Sequence, residues 1–380
     1  MYNNYSIAVV AFYQASIGGH GAAEVTLSFY ESLKDFKKKK LFEIKKYKIF
    51  QFFEEKKINI FENIYKLIYL INLNFNLFKY LNKSQKNIVV LEGASWIGYS
   101  YITIKILNFL KPETKLIYHS HNIEYYLRKN KNNLLITFLT KILEKKVYKL
   151  ANISTVVSKI DQNEIRKLYK LESVVLNNGI NTKRLVSKKF NKKIPEKFII
   201  FSGSYSFAPN KASIDLIIKK IFPIIIRKNS DMKLIITGRD FPIKKYKNYK
   251  FINYYGNIKK SYLNYLILKS NFVLAPMFRA TGTKLKIIEA LMLGAIVVTS
   301  REGSEGLILP EKINPPFIFS KYKGIYKIIN NVIKNNTAYK IKAKKNLGFF
   351  IKHYNMENIV NNFLKEQNLK IKNDFQRLNS

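Results

Sequence analysis

The stretch Gly282-Thr283-Lys284-Leu285-Lys286-Ile287-Ile288-Glu289-Ala290-Leu291-Met292-Leu293-Gly294-Ala295-Ile296-Val297-Val298-Thr299 passes from a loop through one helix into one strand. Gly282 and Thr283 suit the entry and cap of a helix over Lys284–Leu293, leaving its first backbone N–H groups exposed. The run Ile296–Thr299 behind it reads as a short buried strand. A helix packed on a sheet and followed directly by a strand is the repeating unit of a parallel α/β domain. The same alternation extends both ways. Ahead of it, strands are read at Phe198–Ser202, Lys233–Thr237, Phe251–Tyr255 and Phe272–Ala275, with helices at Ser213–Ile226 and Ser261–Leu268. Behind it come a strand at Phe317–Phe319, helix from Lys323 to Phe350 and a last helix near Met356–Gln367. An earlier series has strands at Ser6–Tyr13, Ile88–Leu91, Lys115–His119, Ile153–Val157 and Ser173–Leu176. Its helices are read at Ala22–Lys34, Ile58–Leu81, Tyr99–Leu110, Leu134–Leu150 and Gln162–Leu168. Between the two series the polar, basic segment Asn181–Lys197 reads as a linker. Two doubly wound domains are expected, with a ligand cleft between them outside the carboxyl ends of the strands.

Composition sets limits on function. At 380 residues two domains are favoured, and 47% hydrophobic residues can build a real core. The absence of cysteine excludes a disulfide scaffold, a thiolate metal site and a cysteine nucleophile. Four histidines leave little for a structural metal. The net charge of +42 suggests a polyanionic partner, yet only eight of the 67 basic residues are Arg. Lys together with abundant Asn, Ile, Tyr and Phe is what an AT-rich genome produces by codon bias. Proteins that read nucleic acid usually draw on the planar fork of Arg, so nucleic acid is not the expected partner. The start, MYNNYSIAVVAFY, has no basic stretch ahead of an apolar one, and the apolar stretch Ile58–Leu81 is broken by Glu62, Lys66 and Lys79. Neither a secretory signal nor a membrane span is expected, which makes a cytoplasmic protein the reading.

Three segments carry chemistry. Ser16-Ile17-Gly18-Gly19-His20-Gly21 joins the first strand to a helix, where glycines admit close backbone approach and the helix start offers N–H groups to a pyrophosphate. A tight structural turn is the alternative, and the dinucleotide fingerprint of a nicotinamide enzyme is not completed, because Ala22, Ala23 and Glu24 follow. The strand-end loop Tyr118-His119-Ser120-His121-Asn122-Ile123-Glu124 holds two of the histidines, whose imidazoles could donate to a sugar hydroxyl or a phosphate oxygen. A partial metal site and two satisfied loop histidines are the competing readings. In the opening stretch, Lys286 and Glu289 share one helical face, by default as a solvated pair. At a cleft, that carboxylate would instead be placed to accept two hydrogen bonds from a diol. Arg301-Glu302-Gly303-Ser304-Glu305-Gly306-Leu307 forms another glycine-bearing loop at a strand end.

Taken in order, these segments resemble the retaining glycosyltransferases of family 4, the group 1 family, with the GT-B fold. The Gly18-Gly19 loop, His121-Asn122-Ile123-Glu124, Asn177-Asn178-Gly179-Ile180-Asn181, Gly203 with Pro209-Asn210, and Gly238, Gly256 and Pro276 carry the likeness. The segment from Gly282 to Val298 carries it furthest, followed by Gly303 and Glu305-Gly306-Leu307. The resemblance implies two Rossmann-like doubly wound domains facing across a cleft: residues 1–185 on the acceptor side, 196–350 on the donor side, and 351–380 crossing back. It implies a nucleotide-sugar donor held by Gly18, Gly19, Gly203, Lys211, Gly238, Arg279, Gly282, Thr283, Lys284, Glu289, Ser304, Glu305 and Gly306. His121, Lys286 and Glu289 are the catalytic candidates, with Glu289 matching the glutamate that binds the nucleotide ribose. His20, Glu92, His119 and Asn122 are the acceptor-side candidates. Cations and backbone dipoles would assist departure of the nucleoside diphosphate, with no metal or other cofactor expected. Two positions depart from the family: Thr281 replaces the first glutamate of its usual pair, and Ser204 replaces its usual Arg.

Such enzymes often extend lipid-linked or surface glycans at the inner face of the membrane. Lys34–Lys48 holds eight Lys against Asp35 and Glu43, with aromatic and aliphatic residues between them. It reads either as a patch docking on anionic lipid or as a solvated stretch shaped by codon bias. The expectation is therefore a retaining glycosyltransferase making surface polysaccharide or lipopolysaccharide, cytoplasmic or peripheral at the membrane. A non-catalytic polyanion binder on the same scaffold is the alternative, and a nicotinamide-dependent oxidoreductase is disfavoured.

Overall fold

The computed structural model describes residues 5–17, 21–44, 59–81, 86–93, 96–129, 134–188, 190–278, 282–311, 316–319 and 324–377. The chain divides into two units: Met1–Asn177 with Ile359–Ser380, and Asn178–Asn358. Each unit is a parallel sheet flanked by helices, the α/β, doubly wound architecture expected.

The first unit has the strands β1 (Tyr5–Ala11), β2 (Lys38–Glu43), β3 (Lys86–Gly93), β4 (Lys115–Ser120), β5 (Ile153–Val156) and β6 (Val174–Val175). Their order is β2-β1-β3-β4-β5-β6, all parallel. Its helices are α1 (Gly21–Ser32), α2 (Asn59–Tyr80), α3 (Ile97–Leu110), α4 (Glu124–Lys129), α5 (Leu134–Leu150) and α6 (Lys159–Tyr169). The central strands are continuous apolar runs because both faces are covered, and Ile7 to Ala11 and Val89 to Leu91 are fully buried. The direction of winding reverses between β1 and β3, so the carboxyl ends of those strands open the crevice where such sheets bind ligands. Right-handed crossovers place α2, α3, α5 and α6 on one face of the sheet and α1 on the other.

The second unit has β7 (Phe198–Ser202), β8 (Lys233–Thr237), β9 (Ile252–Gly256), β10 (Phe272–Ala275), β11 (Val297–Ser300) and β12 (Phe317–Phe319), in the order β12-β11-β10-β7-β8-β9. Here the reversal lies between β10 and β7. The helices are α7 (Ala208–Leu216), α8 (Phe222–Lys228), α9 (Lys260–Lys269), α10 (Leu285–Met292), α11 (Arg301–Ser304), α12 (Ile325–Lys334), α13 (Asn336–Lys345) and α14 (Leu347–Tyr354). A last helix, α15 (Met356–Arg377), begins in this unit and continues in the first.

The structure corrects several expectations. The single helix read over Ser213–Ile226 starts at Ala208, with Pro209 in its first turn, and widens into a π turn over Ile217–Ile221. Pro223 has no N–H to donate back to Lys219, and the wider turn accommodates that loss. The helical stretch read over Lys323–Phe350 comprises, among the described residues, α12, α13 and the start of α14. The units divide at Asn177–Asn178, ahead of the 185–196 boundary. The reason is that Asn178 donates to Thr283 and Ile180 bridges to Asn355, so the start of the supposed linker is built into the second unit. The 3₁₀ turn Thr182–Leu185 is held there too, with Asn264 Nδ2 donating to the Arg184 carbonyl at 2.9 Å.

Part of the basic patch is a strand. Lys38–Glu43 forms β2, the edge of the first sheet, paired to β1 over its whole length. Lys38 lies 5.3 Å from the Tyr80 ring and Lys39 5.1 Å from the Tyr30 ring, so these ammonium groups rest on aromatic faces of their own unit. Glu43 Oε2 accepts from the Ala15 amide at 2.8 Å. Residues 45–48 lie outside the described residues.

Candidate functional site

In the first unit the reversal point holds a buried carboxylate between two imidazoles. Register places Glu92 of β3 beside Ala11 on one side and His119 of β4 on the other. His119 and His121, two apart at the end of β4, both turn to it: Glu92 Oε1 lies 3.3 Å from His119 Nδ1, and Oε2 lies 2.6 Å from His121 Nε2. Thr26 of α1 donates to Glu92 Oε2 at 2.9 Å, and the Tyr13 hydroxyl lies 2.7 Å from that of Thr26. Burial alone would raise the Glu92 pKa, but the charge and hydrogen bond of His119 and the hydrogen bond of His121 hold it well below the usual carboxylate range. Burial pushes His121 down, against the opposing pull of Glu92, so its imidazole stays neutral. A carboxylate only accepts, so His121 Nε2 carries the proton and Nδ1 keeps its lone pair. The expectation that this imidazole donates to a ligand is therefore reversed, since at Nδ1 it accepts.

Glu92 and His119 were expected to touch an acceptor, but both are fully buried and can act only through His121. Asn122 is half-buried, and its carbonyl accepts from Ser120 Oγ at 2.8 Å. Glu92, His119 and His121 are also the one group of described residues whose ligand atoms, all within 4.8 Å of one another, could hold a divalent ion. Gly18, Gly19, His20 and Arg279 lie outside the described residues, as does Thr281.

In the second unit the carboxyl ends of β7, β8 and β10 gather the rest. Gly203 follows β7 with φ 151°. A Cβ there would stand 2.6 Å from Asn210 Nδ2 and 2.7 Å from Lys286 Nζ, so only glycine lets these two side chains cross the strand end. Lys286, in the first turn of α10, donates to Asn210 Oδ1 at 2.6 Å and stands 4.4 Å over the Phe201 ring. Burial of its ammonium pulls its pKa down to about 7, although the nearby Glu289 opposes the shift. Glu289 is only 5% exposed and ion-paired with Lys260, the first residue of α9. The solvated i,i+3 pair is therefore not what forms, for each partner is enclosed and held by a third residue. Lys286 and Glu289 together line a small recess with Ser202, Leu263 and Ile267.

The described end of the loop ahead of α10, from Gly282 to Lys284, is held by hydrogen bonds. Gly282 adopts φ 67°, Lys284 Nζ donates to its carbonyl at 2.6 Å, and Thr283 Oγ1 accepts from Asn178 Nδ2 at 2.6 Å. Lys284 is thus buried against its own loop rather than projecting from it. Gly238 packs on the Gly203 carbonyl, leaving no space for a Cβ. Lys211 is exposed, 5.9 Å from the Tyr205 ring. Ser204, where the resembled family has Arg, donates to Asp240 at 2.9 Å and makes no cationic contact. Ser304 Oγ donates to the Arg301 carbonyl, while Glu305 is exposed and Gly306 has φ 77°. Asn210, Lys260, Thr26, Tyr13 and Asn178 complete the two sites. Asn210 and Asn178 lie in segments that carry the family likeness, whereas Lys260, Thr26 and Tyr13 give no signal in the sequence, a Lys at a helix start looking like any surface charge.

Comparison with known proteins fits this arrangement. Residues 196–325 match the family model described as Glycosyl transferases group 1. Anabaena Alr3699/HepE in complex with UDP and glucose superposes with TM-score 0.66 at 12% identity, over 95% of this chain and 99% of that one. The α,α-trehalose-phosphate synthase (UDP-forming) from Burkholderia xenovorans, in complex with glucose-6-phosphate, gives TM-score 0.71 at 10% identity, over 95% and 99%. A glycosyltransferase from Rickettsia africae ESF-5 gives 0.64 at 14%, over 98% and 100%. At such identities the likeness is one of fold. No curated protein matches this chain by sequence. Residues 196–325 therefore match a group 1 glycosyltransferase domain, and the whole chain shares its two-sheet fold with these structures.

Proposed function

We propose that the chain is a retaining transferase of family 4, moving a sugar from a nucleoside-diphosphate sugar to a glycan acceptor, lipid-linked or part of a surface polysaccharide such as lipopolysaccharide. The observation that carries the donor assignment is the enclosed Lys286–Asn210 contact beside Glu289 at the reversal point of the second sheet. Similar folds bind UDP with glucose and UDP-glucose, which supports a donor of that class. In this reading the second unit, with residues 196–350, holds the donor, the first unit up to Asn177 holds the acceptor, and the last helix returns to the first unit from Ile359.

The chemistry follows from the groups present. Departure of a nucleoside diphosphate develops negative charge on its β-phosphate, and a cation or amide dipole already aimed there lowers the barrier. Lys286 is held in place by Asn210 and is partly deprotonated near pH 7, so an arriving diphosphate draws a proton onto it. The Gly282–Thr283 amides at the start of α10 add dipoles, and Glu289 accepts from the ribose hydroxyls. His121 Nδ1 accepts from a hydroxyl of the transferred sugar, with Glu92 fixing the tautomer. The protein's own cations neutralise the leaving group, so turnover is expected to survive EDTA. The protein works on the cytoplasmic side, at the inner face of the plasma membrane when its acceptor is lipid-linked.

The test is a panel of sugar nucleotides assayed by thermal shift and by release of nucleoside diphosphate. One member should raise the melting temperature and be hydrolysed slowly without acceptor. Stabilisation by polyanions such as heparin, with none by any nucleoside diphosphate or its sugar, would establish the non-catalytic alternative instead.

A further inference from the structure

Apolar side chains crowd the solvent side of the helical layer over the first sheet. On α2, Ile64, Leu67, Ile68, Ile71 and Phe75 recur at helical spacing and are all exposed, Ile71 at 63%. The adjacent α3 exposes Ile102, Phe109 and Leu110, with Phe109 at 85%. Beyond it α5 exposes Leu135, Phe138, Leu139 and Ile142, and its first residue Leu134 is 86% exposed. The crossovers put these three helices on one face, where α3 packs against both of the others. Isolated exposed apolar residues need no explanation, but exposed apolar residues gathered on three neighbouring helices are the pattern of an interaction surface.

The charge on the same helices says what covers it. Lys66, Lys79, Lys105, Lys141, Lys145, Lys146 and Lys149 stand among the apolar residues. Against these seven lysines the three helices hold two acidic residues, Glu62 near the start of α2 and Glu144, which is buried and turned to the amides of Glu124 and Tyr125. A protein partner of ordinary composition, or a second copy with this same cationic face, would meet uncompensated charge. An anionic lipid surface offers hydrocarbon to the apolar side chains and phosphate to the lysines. No described helix is long and apolar enough to cross a membrane.

We infer that the outer face of α2, α3 and α5 is a membrane-docking surface that lies flat on anionic lipid, with the apolar side chains entering the headgroup boundary. It differs in place from the Lys34–Lys48 patch, whose lysines 38, 39 and 40 lie on the paired edge strand β2 and not on this helical layer. The inference does not depend on which sugar is transferred or whether any is, since binding to lipid is read without turnover.

The experiment is flotation of the full chain with vesicles of phosphatidylcholine containing 30% phosphatidylglycerol, beside pure phosphatidylcholine vesicles, from low to high salt. The protein should float with the anionic vesicles and be released as salt rises. The pair Ile68→Glu and Ile71→Glu, at exposed positions, should leave the thermal melt unchanged and lower the bound fraction at least tenfold. Lys38→Glu with Lys39→Glu on β2 should leave it near the wild-type value. Failure to float at low salt, equal flotation of the α2 pair, or a concentration-dependent dimer in sedimentation that the α2 pair abolishes would each overturn the docking surface.

Discussion

Enclosure of Lys286 makes donor binding depend on protons. With its pKa pulled down to about 7, the ammonium is mostly neutral at pH 8.5 in the free protein. A diphosphate contacting it restores the charged form, so binding at pH 8.5 takes up close to one proton; supplying it costs about 2 kcal/mol, roughly a 30-fold loss of affinity relative to a fully charged lysine. The second ionisation of the nucleotide phosphate is complete at that pH. The sign is definite: above pH 7 the affinity for UDP falls as pH rises, and it levels off below pH 7, where the lysine is already charged. Calorimetric titration with UDP in two buffers of different ionisation enthalpy measures the uptake directly. Lys286→Met should bind UDP more weakly and without proton uptake. A wild-type chain that takes up no proton at pH 8.5, or a Met variant that takes up as much, would refute the placement of the diphosphate on Lys286.

Glu92→Gln exchanges one carboxylate oxygen for an NH2 donor, so His119 Nδ1 and His121 Nε2 no longer both face an acceptor and the His121 tautomer is no longer fixed. Turnover should fall about ten- to a hundredfold, about 1.4–2.7 kcal/mol in the transition state, with little change in the melting temperature. Gly203→Ala forces a Cβ against Asn210 and Lys286 and should cost about 1–3 kcal/mol of stability together with most of the UDP affinity, read by thermal melts with and without UDP. Glu144 accepts from the amides of Glu124 and Tyr125 and from the Tyr169 hydroxyl, and burial pushes its pKa up to about 7. The folded unit therefore keeps a proton that the unfolded chain has released, and its stability should decline between about pH 4.5 and pH 7. Glu144→Ala should flatten that decline and, by leaving the α4 amides unpaired, cost about 2–4 kcal/mol in denaturant melts.

Where apolar period and glycine punctuation agree, the fold is readable directly. β1, β3, β7, β8 and β10 are uninterrupted buried strands, and a run such as Phe198-Ile199-Ile200-Phe201 has no other soluble fate. β2 was not readable, because Lys-Lys-Lys-Leu-Phe-Glu matches a solvated loop, and only its pairing with β1 and the tyrosines beneath reveals a strand. The candidate site divides the same way. Lys286, Glu289 and His121 were found from loop position and helical spacing. Their partners Asn210, Lys260 and Thr26 lie on other elements, brought in by tertiary packing that no spacing encodes. Glu92 and His119 were recognised as chemistry-bearing but assigned to an acceptor, because a sequence gives residue type without exposure.

The lysines of β2 also protect the chain from itself. An edge strand bares a row of N–H and C=O groups to which any second strand can pair, and one with Val or Ile at positions 39 and 40 would invite ribbon formation between molecules. Charge held along that margin repels a like copy, so the lysine-rich composition of this chain becomes, at this border, a guard against self-templating. Replacing those lysines by better strand formers would strengthen the local backbone preference and, by the same stroke, open the sheet to its own kind.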